Sequence, residues 1–279
     1  TAQIINGASI TGIERMVVLT GNSNDTLDNT YTGNNTSDDV STGAGNDKIY
    51  LGAGNDRIDS GDNDDTIDAG AGSDTVYGGD GNDLITVQAN ASEVDVVSGG
   101  AGTDRLTIDG TNNGYAFFWD GKNSTNSTLA SVDWSSSMLA IQTLLNNQVS
   151  LGVHPGTVGI GSVTLDSIEN ISMTGGNSAD LLIGLGGTGT YIGGANTDAL
   201  YIDWSAATSA ISWTNNPTGL AQPINGASIT GIERMVVLTG SSNDTLDNTY
   251  TGNNTSDDVS TGAGNDKIYL GAGNDRIDS

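Results

Sequence analysis

Residues 42–86 read TGAGNDKIY LGAGNDRID SGDNDDTID AGAGSDTVY GGDGNDLIT, which is five nine-residue units laid end to end. Glycine holds the second place of every unit and usually the fourth, aspartate holds the sixth, and Ile or Val holds the eighth. A disordered acidic linker has no reason to keep an aliphatic residue at every eighth place, so the pattern indicates an ordered repeat. A weaker unit in the same phase, GNNTSDDVS, covers residues 33–41.

Each unit predicts a tight turn followed by a short strand. Glycine tolerates positive φ and close backbone approach, so the first six residues suit a turn. The last three, such as Lys48, Ile49 and Tyr50, should point outward, inward and outward, as strand residues do. Two units then form one coil, and successive coils stack at about the 4.7–4.9 Å spacing of paired strands. The columns of stacked carboxylates that this predicts are Asp47, Asp65 and Asp83 on one edge and Asp38, Asp56 and Asp74 on the other.

Carboxylates stacked at that spacing repel one another unless a cation lies between them. One buried Ile or Val per unit makes a thin core. The burial of that core cannot offset both this repulsion and the entropy lost in ordering the turns. Calcium prefers irregular cages of oxygen ligands, and its binding can supply the missing folding free energy. The units therefore predict calcium ions held between the coils.

These tandem units resemble the glycine-rich nonapeptides of the repeats-in-toxin (RTX) family, whose pattern G-G-x-G-x-D-x-U-x is a calcium-binding β-helix repeat. The resemblance implies an all-β fold, a right-handed parallel β-roll in blocks, here interrupted by β-rich inserts, with several Ca²⁺ ions per chain. It also implies that the sixth-place carboxylates and nearby turn carbonyls bind the metal. The ligands so implied are Asp25, Asp38, Asp47, Asp56, Asp65, Asp74, Asp83, Asp104, Asp180, Asp198, Asp244, Asp257, Asp266 and Asp275, with the carbonyl groups of Gly43, Gly45, Gly52 and Gly54.

A long internal duplication sets a second, larger period. Residues 2–60 and 221–279 are nearly identical, and both carry INGASITGIERMVVLTG, at 5–21 and at 224–240. The chain therefore spans one period of 219 residues plus an overlap. This favours a slice of a longer tandem array over an engineered duplication.

The nonapeptide pattern is interrupted and resumes along the chain, which predicts that β-roll blocks alternate with non-repeat inserts. Within the first insert, residues 136–148 predict a short helix with Met138, Ile141 and Leu145 on one side. The predicted blocks are 1–19 as the end of a preceding insert, 20–107 as a β-roll, 108–174 as a non-repeat insert, 175–201 as a short β-roll, 202–238 as a second insert, and 239–279 as a β-roll that repeats 20–60.

The amino-acid composition limits which classes of molecule the chain is expected to bind. The chain has a formal net charge of −26, so nucleic acid and anionic membranes are poor partners. Only four of its 34 acidic residues are glutamate, and this bias toward the shorter carboxylate suits turns and metal cages. There is no cysteine and no apolar run of membrane-spanning length, so we expect neither disulfides nor membrane insertion.

A few further residues invite functional interpretations. Glu14, Glu169 and Glu233 each follow an isoleucine, and two roles stay open for them: calcium ligand or cap at the start of a roll, or solvated strand residue. His154, the only histidine, fits a loop better than a general base. The tryptophans fall in the inserts and favour core packing over a sugar-stacking platform. Neither H-E-x-x-H nor G-x-S-x-G occurs, and we expect no enzymatic activity.

The sequence as a whole favours an extracellular or cell-surface structural segment that folds and stiffens on binding calcium. It would belong to a tandem-array filament, surface layer or adhesin stalk, exported by type I secretion as the RTX resemblance implies. The expected partners are neighbouring copies of the same repeat, joined covalently and associating laterally, and a surface glycan. Two alternatives stay open: the calcium-binding C-terminal repeat region of a secreted RTX enzyme or toxin, and a glycan-binding adhesin module.

Overall fold

The computed structural model describes residues 3–5, 8–10, 14–30, 35–88, 93–111, 117–119, 137–146, 152–155, 162–166, 168, 170–184, 189–250 and 252–279. This part of the chain is all-β apart from the helix α1 (Met138–Asn146), so the predicted fold class is confirmed. The strands are β1 (Gln3–Ile5), β2 (Ala8–Ile10), β3 (Val17–Leu19), β4 (Thr26–Asp28), β5 (Asp39–Ser41), β6 (Lys48–Tyr50), β7 (Arg57–Asp62), β8 (Thr66–Gly70), β9 (Thr75–Asp80), β10 (Leu84–Gln88), β11 (Val94–Ala101), β12 (Arg105–Asp109), β13 (Phe117–Trp119), β14 (Gly152–Pro155), β15 (Ser162–Asp166), β16 (Asn170–Thr174), β17 (Leu181–Gly184), β18 (Gly189–Ile192), β19 (Ala199–Asp203), β20 (Ser212–Thr214), β21 (Gln222–Ile224), β22 (Ala227–Thr230), β23 (Arg234–Leu238), β24 (Thr245–Asp247), β25 (Asp258–Ser260), β26 (Lys267–Tyr269) and β27 (Arg276–Asp278).

The chain divides into two compact units, and the predicted block boundaries stay a prediction. Unit 1 comprises Thr1–Asp109 and Gly159–Ser172, and unit 2 comprises Gly110–Val158 and Met173–Ser279. No helix in the described ranges is long and apolar enough to cross a membrane.

Unit 1 is a parallel β-solenoid in which successive strands alternate between two sheets. One sheet contains β4, β6, β8, β10 and β12, and the other contains β3, β5, β7, β9, β11 and β15. Ile49 pairs with Ile67, and Ile67 pairs with Ile85, so every second unit stacks in register. The predicted coil of two nonapeptides is confirmed.

The core of unit 1 is a narrow ladder of aliphatic side chains between the two sheets. Ile49, Ile58, Ile67, Val76 and Ile85 are each 0–1 % exposed. The neighbouring strand residues point outward or lie half-buried, as the alternation predicted. Each half-coil thus contributes about one large apolar side chain, worth roughly 1.5–3 kcal/mol of burial.

The turns depend on glycine because consecutive coils touch through their backbones. Gly70 and Gly72 have φ of 88° and 134°, and a Cβ atom on Gly72 would overlap the carbonyl oxygen of Gly54 in the preceding coil. Where the fourth-place glycine is missing, Asn63 takes φ of 80°. Asparagine tolerates this left-handed conformation better than most residues, so the turn is kept.

Unit 2 carries its own parallel sheets. One contains β17, β19, β23, β25 and β27, and a second contains β20, β24 and β26. Strand β18 pairs in parallel with β22, and β21 and β22 form a hairpin across Asn225 and Gly226, both with positive φ. Asn-Gly is the usual two-residue loop for such a hairpin.

The helix and the aromatic residues of unit 2 settle two predictions. Helix α1 confirms the predicted helix, and Met138 and Ile141 are buried as expected, while the side chain of Leu145 lies outside the described part. Trp204 and Trp213 are buried, with ring centroids 6.1 Å apart, so these two serve core packing. The side chains of Trp119 and Trp134 lie outside the described part.

The prediction that His154 lies in a loop is wrong. His154 belongs to strand β14 and pairs with Phe118 of the antiparallel strand β13. The proline that follows it ends the strand, because proline fixes φ and lacks the N–H that would extend the ladder.

The stacked turns allow a direct test by substitution. Gly72→Ala is expected to destabilise the fold by about 1–3 kcal/mol from backbone strain alone, with a further loss from the overlap with Gly54. Chemical denaturation followed by circular dichroism measures this. Gly21→Ala is the matched control, because a Cβ there has no atom within 4 Å. Equal effects of the two substitutions would contradict the stacking of the turns.

Candidate metal centre

The sixth-place aspartates of unit 1 form two columns, one along each edge of the solenoid. The backbone N–H of Asp47 donates to Oδ1 of Asp65 at 2.8 Å, and that of Asp65 donates to Oδ1 of Asp83 at 2.9 Å. On the other edge, the N–H of Asp56 donates to Oδ1 of Asp74 at 2.9 Å. Each carboxylate is therefore fixed by the coil before it. The full columns are Asp25, Asp47, Asp65, Asp83 and Asp104, and Asp38, Asp56, Asp74 and Asp95.

The carboxylates in these columns are buried and only half satisfied. Asp47, Asp56, Asp65, Asp74 and Asp83 are each 1–2 % exposed. In all five, Oδ1 accepts a backbone N–H, whereas Oδ2 is buried and has no hydrogen-bond partner among protein atoms. A buried charged oxygen without a partner is costly, and a hard cation bound to it would remove that cost.

Burial raises the pKa of several of these carboxyl groups. It raises the pKa of Asp56 and Asp83 to about 6 and that of Asp74 to about 8, from an ordinary value of 3.8. The backbone hydrogen bonds oppose the shift, and the neighbouring carboxylates add to it. Without a positive charge nearby, Asp74 would hold its proton at neutral pH.

The turn carbonyls are the other ligands that a cation would need. In the described ranges no three carboxylate or imidazole groups converge on one point, so carboxylates alone do not make a cage. The carbonyls of Gly43 and Gly52 accept N–H groups of Asp62 and Ala71 in the next coil, both at 2.7 Å. A carbonyl oxygen has a second lone pair, which stays available for a cation.

The fourth-place glycines use their N–H groups in hydrogen bonds to the next coil. The N–H of Gly45 donates to the carbonyl of Asp62, and that of Gly54 donates to the carbonyl of Ala71. An all-oxygen donor set with unpartnered buried carboxylate oxygens fits Ca²⁺.

Unit 2 places the remaining predicted aspartates in shorter columns. The N–H of Asp180 donates to Oδ1 of Asp198 at 2.8 Å, and the N–H of Asp244 donates to Oδ1 of Asp266 at 2.8 Å. The N–H of Asp257 donates to Oδ1 of Asp275 at 3.0 Å. Oδ2 of Asp198 and Oδ2 of Asp244 are again buried without a protein partner.

Glu233 belongs to one of these columns, so it is not a solvated strand residue, and its role as a calcium ligand or cap stays a prediction. The N–H of Asp198 donates to Oε2 of Glu233 at 2.8 Å, so the glutamate takes the place that an aspartate holds elsewhere. Burial raises the pKa of Glu233. The equivalent Glu14 is exposed, and the side chain of Glu169 lies outside the described residues.

Two acidic residues were not predicted from the sequence: Asp95, which belongs to a column, and Glu93, whose charge acts on the neighbouring Asp74. The N–H of Asp74 donates to Oδ1 of Asp95 at 2.9 Å, and Oε2 of Glu93 is buried without a protein partner. Both carboxylates raise the pKa of Asp74. The missed signal is that Asp95 and Val97 keep the spacing of the sixth and eighth places after a three-residue insertion.

Fifth-place side chains form a second ladder, which runs in the opposite direction. The N–H of Asn46 donates to Oδ1 of Asn24 in the preceding coil at 2.9 Å, and the N–H of Ser73 donates to Oδ1 of Asn55 at 2.9 Å. In the sixth-place ladder, the earlier coil donates and the later coil accepts. Each turn is thus tied to both neighbours, and the recurring Asn-Asp pair in the sequence was the available signal.

Comparison with known families agrees with this geometry. Residues 32–67, 59–87 and 251–279 match the family described as RTX calcium-binding nonapeptide repeat (4 copies). The matched segments span under a third of the chain. No curated protein matches the sequence. The resemblance drawn from the nonapeptides is therefore confirmed, and the matched segments are calcium-binding repeats joined covalently in tandem.

The raised pKa values set an expected pH dependence for the metal-free chain. The pKa of Asp74 is about 8 when folded and 3.8 ordinarily, so folding favours the protonated carboxyl. This stabilising effect is complete below the ordinary value and is lost as the pH rises through about 8. The unfolding midpoint of metal-free protein should therefore rise as the pH falls from about 8 to about 5.

Thermal unfolding by circular dichroism, on protein freed of metal and chelator, measures this dependence. The paired control is the same series in saturating calcium, where protons compete with the ion and acidification should lower the midpoint instead. A metal-free midpoint that falls on acidification would contradict the assigned burial of the columns.

Proposed function

Since the chain carries RTX calcium-binding nonapeptide repeats, we propose that it is a structural segment whose rolls close and stiffen when calcium binds. The observation that carries this proposal is the buried, unpartnered Oδ2 in each of the five consecutive units at 42–86. Several Ca²⁺ ions per chain would bind along the two columns, each held by sixth-place carboxylates and turn carbonyls. Their affinity should fall near the ~10⁻⁴–10⁻³ M of extracellular modules.

The chain's own residues prepare the columns for the ion. A backbone N–H from the preceding coil holds Oδ1 of each aspartate, which leaves Oδ2 for the metal. Bound calcium supplies the positive charge that offsets repulsion between stacked carboxylates. Without it, that repulsion and the entropy of the glycine-rich turns oppose closure.

The duplicated sequence supports a tandem array with a period of 219 residues. Val17 and Leu19 are 69 % and 80 % exposed, whereas Val236, at the place equivalent to Val17, is fully buried. We attribute the difference to helix α1, which contacts the second copy: the N–H of Met138 donates to Oδ2 of Asp258 at 2.8 Å.

The middle of that helix reaches β19, where Gln142 hydrogen-bonds to Tyr201. Strand β23, with Val236, lies between β19 and β25 in the sheet. An array would place an equivalent helix on Val17 and Leu19, so that each period covers the first strands of the next. Such an array suits a filament, a surface layer or an adhesin stalk, in which each block contacts its neighbours.

The proposed location is outside the cell or on its surface, where calcium is abundant. Export by type I secretion would carry the chain unfolded through a compartment of low calcium. The partners in this proposal are neighbouring copies of the repeat, with lateral association between arrays and a surface glycan as further contacts. We assign the segment no catalytic role.

Calcium titration tests the proposed function. Metal-free chain at neutral pH should gain β-signal in circular dichroism as calcium rises into the millimolar range, with several ions bound per chain at saturation. Magnesium is the control, because it demands near-octahedral geometry and gives up its waters reluctantly, so it should be far less effective. A spectrum and melting curve that calcium and chelator leave unchanged would contradict ion-coupled folding.

Asp65→Asn tests the columns directly. The amide keeps an acceptor for the N–H of Asp47 but removes the charge and one metal ligand, so fewer ions should bind and the calcium midpoint should rise. Asp62→Asn is the matched control, since it makes the same charge change at an exposed residue of the same unit. Calorimetric titration measures both. Equal losses of calcium in the two variants would place the ions elsewhere.

A further inference from the structure

Both copies of the roll contain the same four-residue interruption, Asn-Thr-Tyr-Thr, after their first unit. It occupies 29–32 in the first copy and 248–251 in the second. Its leading asparagine is inaccessible in both: Asn29 is 3 % exposed and Asn248 is 0 % exposed. A buried amide at the start of a calcium roll calls for a hydrogen-bonding role.

The amide of this asparagine contacts a sixth-place carboxylate. Nδ2 of Asn29 donates to Oδ2 of Asp38 at 2.7 Å and lies 3.2 Å from the carbonyl oxygen of Glu14. An –NH₂ group has two donors, so one amide can join a carboxylate oxygen and a main-chain carbonyl.

The second copy repeats the arrangement. Nδ2 of Asn248 lies 3.0 and 2.9 Å from the two carboxylate oxygens of Asp257, and 3.0 Å from the carbonyl oxygen of Glu233. A further buried amide orients it, because Nδ2 of Asn215 donates to Oδ1 of Asn248 at 2.7 Å. Nδ2 of Asn215 also contacts the carbonyl of Ile232 at 2.7 Å.

The next coil of the same column gives a direct comparison. The N–H of Asn29 donates to the carbonyl of Tyr50, and the N–H of Leu51 donates to the carbonyl of Asp68, so Leu51 holds the place of Asn29 one coil later. A leucine side chain has no polar group to offer the carboxylate. Oδ2 of Asp56, which follows Leu51, has no protein partner, whereas Oδ2 of Asp38 has the amide.

We propose that Asn29 and Asn248 stand in for calcium, so that Asp38 and Asp257 bind no ion although they keep their places in the columns. This inference rests on the proposed calcium function and refines the ligand set drawn from the sequence. The amide contacts the same kinds of atom that calcium would contact, a sixth-place carboxylate oxygen and a carbonyl oxygen. It satisfies them without a charge, so this coil closes without an ion and offers a preformed surface on which calcium-dependent coils stack.

The first test compares Asp38→Asn with Asp56→Asn in the full chain. Both residues are buried in one column, and both accept a backbone N–H through Oδ1. Calcium bound per chain at saturation is measured by calorimetry and by elemental analysis. Asp56→Asn should lower the count, and Asp38→Asn should leave it at the wild-type value. An equal loss in both variants would overturn the stand-in role.

The second test removes the amide. Asn29→Ala leaves Oδ2 of Asp38 without its donor, so the folded variant should bind one more calcium ion than wild type, and Asn29→Ala with Asp38→Asn should not. An unchanged count in folded Asn29→Ala would overturn the inference. Failure of the proposed function itself looks different: wild-type chain would bind no calcium at all.

Discussion

The fold imposes a fixed spacing on buried carboxylates, and the rest of the molecule follows from that constraint. Strand pairing sets the distance between coils, and the N–H of each sixth-place aspartate holds Oδ1 of the aspartate one coil later. The carboxylates therefore cannot move apart to relieve their repulsion. Burial takes the charged carboxylate of Asp74 out of water, and the neighbouring carboxylates add to this effect, so the pKa of Asp74 rises to about 8. The free-energy cost of holding these carboxylates together follows from the backbone geometry. A partner bound to Oδ2 is therefore the means left to remove it.

Three other features compensate for the thin core that this geometry leaves. Glycine at the second and fourth places lets adjacent turns touch through their backbones. Fifth-place amides tie each turn to the coil before it, in the direction opposite to the aspartate ladder. One aliphatic side chain per half-coil closes the interior. All three recur with a period of nine residues because a nonapeptide is half a coil. Every half-coil has the same thin core and needs the same compensation.

The features that repeat in phase with the nonapeptide could be predicted from the sequence. The register of Ile49 on Ile67 and the two carboxylate columns follow from the period alone, since turn and strand signals agree in every unit. Asp95 was missed because an insertion shifts it out of phase, although its spacing to Val97 is kept. Glu233 could not be assigned from sequence because its partner, Asp198, lies 35 residues away in another block. The Asn29–Asp38 contact depends on how an interruption bends the chain, which no local pattern specifies.

Sixth-place carboxylates of one column thus have two kinds of partner. Asp38 has a neighbouring amide, and Asp56 and Asp74 have calcium in the function proposed above. The measurement that tests the account most directly is an anomalous difference map from crystals of the chain grown in calcium. Peaks are expected beside Oδ2 of Asp56, of Asp74 and of the aspartates of the opposite edge. Columns that stay stacked and buried while the map shows no peaks along either edge would contradict it.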